Sequence, residues 1–310
     1  MVKPTTPSSI YSFRGGESLV HCLLLDLNGS KEVIYVGTND GCVNIWDLKI
    51  SRTINSVKIS NEPILAVLIN GNHFITQEKG ECIKFWDEEM KSVIKQLSYD
   101  YVGFCKIVSR GDYLVYPLSE GRFTVYNIKT EVSKVVGFKF NKKPGEVMCL
   151  FCLENDKVLV LYEGGFLALW DFDGVKLSEC EIGDTPMCMD FCEATQEGVV
   201  GTSGLTLVKF KLDEGLDIAN SAQLTNPGVS ALAVHKSGRI FVAGCWDGSV
   251  KYFNMSTMQL LAVITSRPSP IQSLVFSHKT LSQWGPAVVF VAGPDQKVSL
   301  CNLYSKELSE

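Results

Sequence analysis

The sequence predicts an all-β chain closed into a ring of seven blades, and three observations carry that prediction. The first is a repeat. NDGCVNIWD ends at Asp47, EKGECIKFWD at Asp87 and YEGGFLALWD at Asp171, with weaker copies SEGRFTVYN at Asn127, SGLTLVKFK at Lys211, WDGSVKYFN at Asn254 and PDQKVSLCN at Asn302. The second is its period. The aligned anchors Trp46, Trp86, Tyr126, Trp170, Phe210, Phe253 and Cys301 are spaced by 40, 40, 44, 40, 43 and 48 residues. Units of about 40–45 residues with four strands each are the blades of a β-propeller. The third is the grain inside each unit, where short apolar runs alternate with turn residues.

Taken in order, Ile10–Arg14 (IYSFR) reads as a lone strand before the first blade, and residues 1–9, rich in Pro, Ser and Thr, as a disordered tail. Residues 10–310 then form a single propeller domain. In the first blade Val20–Leu25 and Val33–Gly37 are strands, and Asn39-Asp40-Gly41 is a hairpin turn, because Asp-Gly tolerates positive φ. Cys42–Asp47 is the third strand, and the residues before Ile59 form the fourth. The innermost strands are apolar throughout (VHCLLL, ILAVLI, VMCLFCL, VSALAV, IQSLVF), as suits strands covered on both faces by neighbouring blades. Several are entered through a proline: Pro63, Pro144, Pro186, Pro227 and Pro270. Proline lacks an N–H and belongs at strand entry. The long last spacing fits a polar loop over Ser277–Pro286. Three strands remain after Pro270, so the economical closure pairs Ile10–Arg14 with Leu300–Leu303 in the last blade and removes an open sheet edge.

Composition narrows the function classes. The 310 residues carry 29 Lys and Arg against 34 Asp and Glu, a net charge of −5, with no basic run longer than Lys142-Lys143. That argues against direct nucleic-acid binding, and no basic helix suggests a membrane surface. The N-terminus has no apolar signal core, and no stretch approaches the length needed to span a bilayer. Eleven cysteines, an odd number, lie scattered in apolar runs, which fits free thiols in a reducing compartment, cytoplasm or nucleus.

The motifs favour packing over chemistry. Trp46, Trp86 and Trp170 are structural anchors, since a tryptophan at the end of a third strand buries a large area. Asp40, Asp247 and Asp295 sit six residues before their anchors and read as structural turn residues. His21, His73, His235 and His278 have no companions at metal spacing. Cys149 and Cys152 lie three apart on an inner strand and so face opposite sides, while Cys188 and Cys192 fall in another apolar strand. No phosphate loop, nucleophile elbow or zinc-protease motif is present. The reading is a chain with no catalytic residue, no metal and no cofactor. More informative are side chains at the turns before the third strands, where Trp246 stands among Asn39, Lys79, Ser119, Glu163, Ser203 and Pro294. Trp246 is a candidate partner contact, the alternative being that it folds back on the cleft between blades. Tyr101 and Phe104, at an inner-strand entry where neighbouring blades have proline, are further candidates, with core packing as the alternative.

The Trp-Asp units resemble the WD-repeat superfamily. Gln223–Ile264, Tyr101–Lys106 (YVGFCK) and Asp295–Tyr304 (DQKVSLCNLY) look more specifically like the guanine nucleotide-binding protein subunit beta-like protein 1 family, related to the fungal ASTRA-associated WD-repeat protein. The resemblance runs from about Ile10 to Tyr304. Its most specific part is Leu-Thr-Asn-Pro-Gly with the downstream Gly-Cys-Trp-Asp, which adds Asn226 and Pro227 to the candidate contacts. What it implies is a non-catalytic scaffold, a monomeric propeller within a larger complex. Its partners would be Tel/Tti co-chaperone components and their phosphatidylinositol-3-kinase-like kinase clients, with a link through ASTRA to chromatin regulation. In blades of this kind the turn aspartate holds a His–Ser/Thr–Trp network. No unit here has the Gly-His partner, and Gly80, Gly164 and Gly204 replace the aspartate in blades two, four and five, so the network must be partial. The alternatives are a ubiquitin-ligase substrate adaptor and a Gβ-like signalling propeller. The tetrapeptides WDLK, WDEE and WDFD lack the Trp-Asp-x-Arg of many adaptors, and no heptad helix precedes the first unit to hold a γ partner.

Overall fold

A computed structural model describes residues 9–14, 18–99, 101–137, 143–265 and 267–302. Among them every regular element is a β-strand, and the strands form seven antiparallel four-stranded sheets. Blades 1 to 6 are continuous in sequence, covering residues 20–58, 64–98, 108–136, 147–181, 186–223 and 229–264, and each runs in order from its innermost to its outermost strand. Blade 7 takes three strands from residues 273–301 and its outermost from Tyr11–Arg14. Consecutive inner strands touch around the circle, with blade 7 against blade 1, so the ring is closed. All seven repeat anchors fall on third strands.

Closure by the N-terminal strand holds, with a different register. Tyr11 faces Leu300, Ser12 faces Ser299, Phe13 faces Val298 and Arg14 faces Lys297. The partner segment is therefore Lys297–Leu300, not Leu300–Leu303; Leu303 and residues 1–8 of the expected tail lie outside the described residues. Phe13 is fully buried between blades 7 and 1, its ring edge-on to Trp46 at 4.7 Å. The loop expected over Ser277–Pro286 straps the same seam. Trp284 Nε1 donates to Leu48 O (3.3 Å), and the Ser282 N–H donates to the Glu32 carboxylate (3.0 Å).

The cysteines acquire a reason. On inner strands the thiols of Cys22, Cys149 and Cys188 donate to Ile64 O (3.6 Å), Met189 O (3.6 Å) and Val229 O (3.5 Å), in each case in the next blade. A thiol is a small hydrophobe with one weak donor, so it fills this narrow seam while satisfying a carbonyl. The seam demands glycine opposite: a Cβ on Gly37 would lie 2.4 Å from the Cys22 sulfur. Cys149 and Cys152 do face opposite ways, Cys149 toward blade 5 and Cys152 into the core shared with blade 3.

Asp190 ties blades 5 and 6 by accepting N–H groups from Val234 (2.7 Å) and Phe191 (2.9 Å), yet burial raises its pKa to about 6. Since the folded value exceeds the ordinary carboxylate value, its stabilising contribution is full below about pH 4 and is lost as pH rises through about 6. Two units correspond to about 3 kcal/mol, which partial exposure reduces to about 1–2 kcal/mol. Chemical denaturation should therefore show the stability difference between the parent and Asp190→Asn moving by about 1–2 kcal/mol in the parent's favour from about pH 7.5 to about pH 4.5. A difference independent of pH would contradict the assignment.

Candidate partner-binding face

One face of the ring carries the turns between second and third strands together with the crossovers between blades. It surrounds a funnel of about 590 Å³ where the central channel opens. The funnel wall comes from a repeated backbone device. In blades 1, 2, 4, 5 and 6 the inner strand begins with a register shift, and the extra residue is His21, Leu65, Met148, Met187 and Ser230 respectively. A bulge re-aims one side chain out of the alternating pattern, and all five line the funnel. Lys106 and Gln272 line it from the strand entries of blades 3 and 7. Continuous apolar runs have no alternation to mark a bulge, which is why the sequence reading missed this ring.

The described part of the crossover from blade 2 to blade 3, Tyr99 and residues 101–107, is held by buried polar groups. Gln77 Nε2 donates to Cys105 O (2.9 Å), and Gln77 Oε1 accepts from the Ile107 N–H (3.0 Å). Tyr99 OH donates to Glu78 O (2.9 Å). Tyr101 OH donates to Val147 O (2.9 Å) and accepts from the Cys105 N–H (3.1 Å). Tyr101 is 4% exposed, and burial pushes its phenol far above the ordinary value. This corrects its place among the contact candidates: the hydroxyl pins the crossover to blade 4. What the pinned loop presents is Val102, 72% exposed, and Phe104, 64% exposed. Lys79 Nζ rests 3.8 Å from the Phe104 ring centroid.

Trp246 stands on the same face in the turn between the second and third strands of blade 6, 41% exposed, with its indole lying against Gly228. It is both a contact of the Asn226-Pro227-Gly228 turn and an open surface. Gly228 has φ +90°, and a Cβ there would lie 2.0 Å from the indole. Asn226 and Pro227 are exposed, and Asn226 Nδ2 donates to Asp247 Oδ2 (2.7 Å). An asparagine thus stands where the sequence lacked the histidine. Asp247 also accepts from the Ser249 N–H (2.9 Å). Asp40 accepts from Thr38 Oγ1 (2.6 Å), and Asp295 from Arg267 Nη1 (3.1 Å).

The anchors differ in how their indoles are satisfied. Trp86 Nε1 donates to Thr76 Oγ1 (2.9 Å), and Trp170 is bonded to Tyr162. Among the described residues Trp46 Nε1 has no hydrogen-bond partner, because Val36 occupies the position that Thr76 holds in blade 2.

Among the described residues, three potential metal-ligand atoms converge at Glu78, Glu81 and Cys82, but Glu78 is already paired with Lys84 at 2.8 Å. At the opposite end of the ring, His235 and His278 lie 6.5 Å apart, and burial holds His235 near a pKa of about 4.

Residues 7–47 and 221–254 match the family model described as WD domain, G-beta repeat. With seven sheets on the repeat period, that match settles the architecture. The chain is a seven-bladed β-propeller that carries WD-type repeats. The propeller is 26% identical to the mouse guanine nucleotide-binding protein subunit beta-like protein 1, over 97% of this chain and 98% of that protein. It is 29% identical to ASTRA-associated protein 1 of Candida albicans (strain WO-1), over 31% of this chain and 26% of that protein. It is 22% identical to the mouse intraflagellar transport protein 122 homolog over 78% of this chain, which spans 20% of that longer protein. The propeller therefore resembles the beta-like protein 1 family from end to end.

Proposed function

We propose that the propeller is a non-catalytic scaffold that holds protein partners on its channel-mouth face. The observation that carries this is the pair Phe104 and Trp246. Among the described residues the exposed aromatic apolar side chains are Tyr11, Phe104 and Trp246; Phe104 lines the funnel and Trp246 stands on the same face, while Tyr11 packs on Trp284. Aromatics held rigidly at a rim are the groups that dominate interface energetics. A finer reading, implied by the resemblance of the sequence, has the scaffold serve the Tel/Tti co-chaperone pathway for phosphatidylinositol-3-kinase-like kinases and ASTRA-type chromatin regulation, in cytoplasm and nucleus. The ASTRA-associated relative points the same way by its name.

The test is affinity capture of the tagged full chain from cells with mass spectrometry, beside the double variant Phe104→Ala, Trp246→Ala. The parent should recover Tel/Tti components or kinase clients. The variant should lose them roughly tenfold or more while melting within about 2 °C of the parent. Recovery of none of these components removes the pathway; full recovery by the double variant moves the interface off this face.

A further inference from the structure

The charges at the funnel are unevenly used. Lys106 is exposed in the funnel, and none of the described carboxylates is ion-paired with it. Lys79 has the Phe104 ring as its partner. His21, across on blade 1, senses both: burial first, then the two lysines, hold its pKa below the ordinary value, partly offset by its hydrogen bond to Asn39. The carboxylates on the blade 4 side are engaged by backbone. Glu163 Oε2 accepts from the Glu146 N–H (3.1 Å), and Glu146 Oε1 accepts from the Glu120 N–H (3.3 Å); Glu146 Oε2 has no hydrogen-bond partner among the described residues. The charges beside the exposed aromatic that none of the described carboxylates pairs are therefore cationic, Lys79 of blade 2 and Lys106 at the entry to blade 3.

We infer that the funnel takes an acidic–apolar segment of a protein partner. Its apolar side chain seats against Phe104 and Val102, and an adjacent carboxylate reaches Lys106 and Lys79. This rests on the platform reading and adds the chemistry of the segment. Three features support it together. The wall offers Met148 and Met187 to an apolar group, and methionine adapts to varied shapes. The Gln77, Tyr99 and Tyr101 hydrogen bonds fix the crossover before binding, which lowers the ordering cost of association. A carboxylate at this spot would give Lys106 the ion-pair partner it lacks and draw Lys79 from the ring to a stronger partner.

The test selects from a displayed library of random dodecapeptides on the immobilised full chain and measures the selected peptides in solution. The expected consensus is an aromatic or aliphatic residue beside Asp or Glu. Phe104→Ala and Lys106→Glu should each weaken binding roughly tenfold or more with an unchanged melting temperature, and Lys106→Glu should gain affinity for the same peptides with Lys in place of the acid. A Lys/Arg consensus that still depends on Phe104 overturns the acidic assignment and leaves the platform standing. No enrichment, or peptides indifferent to both variants, overturns the inference, and the platform is then judged by the capture of cellular partners alone.

Discussion

Phe13→Ala should lower stability by about 3–5 kcal/mol, the cost of deleting a wholly buried aromatic and leaving a cavity. The side chain is 1% exposed and sits on the strand that closes the ring, against Trp46 of blade 1 and Val298 and Leu300 of blade 7. Its removal takes packing from both blades beside the one neighbouring strand pair, Tyr11–Arg14 with Lys297–Leu300, that no hairpin joins. Thermal melting should fall by roughly 5–15 °C. Tyr11→Ala, on the same strand but 38% exposed, should move melting far less. If Phe13→Ala melted with the parent, the closing strand would contribute nothing to the fold.

Arg267→Met should have an effect of similar size for a different reason. The guanidinium is 8% exposed in the crossover entering blade 7. Its Nη1 donates to Asp295 (3.1 Å), and its Nη2 lies within hydrogen-bond distance of Val291 O (3.0 Å), Lys297 O (3.0 Å) and Ser299 Oγ (2.8 Å). Methionine keeps much of the volume but leaves the Asp295 carboxylate without its cation and the carbonyls without this donor. Breaking a buried pair from one side costs about 3–5 kcal/mol. Asp295→Asn should cost less, since the amide oxygen still accepts from Nη1 and the guanidinium keeps its acceptors Val291 O, Lys297 O and Ser299 Oγ. Equal stability of Arg267→Met and the parent in urea would show that the network is dispensable.

The repeat was legible because a large anchor recurs at a nearly constant interval, and Trp46, Trp86 and Trp170 need no structure to be aligned. Asp40-Gly41 and Asp247-Gly248 marked turns by local chemistry. The closing register was harder. Tyr11–Arg14 joins its neighbour through no hairpin, and turn geometry, which fixes register elsewhere, is silent there; Lys297–Leu300 and Leu300–Leu303 offer similar patterns to a partner. The roles of Tyr101 and Phe104 could not be separated, because the deciding bond joins Tyr101 to Val147 across 46 positions. Nor could Arg267 be foreseen as the partner of Asp295, because that pairing depends on how a crossover lies over the next blade.

The central claim is a ring closed by its own first strand. Hydrogen–deuterium exchange on the intact chain, read at the amides that join Tyr11–Arg14 to Lys297–Leu300, addresses it most directly. In a closed ring these amides exchange on the timescale of the inner strands of blade 7, since they open only when the seam opens. Exchange of Tyr11–Arg14 at the rate of a free peptide, with blade 7 still protected, would show that the ring is not fastened there.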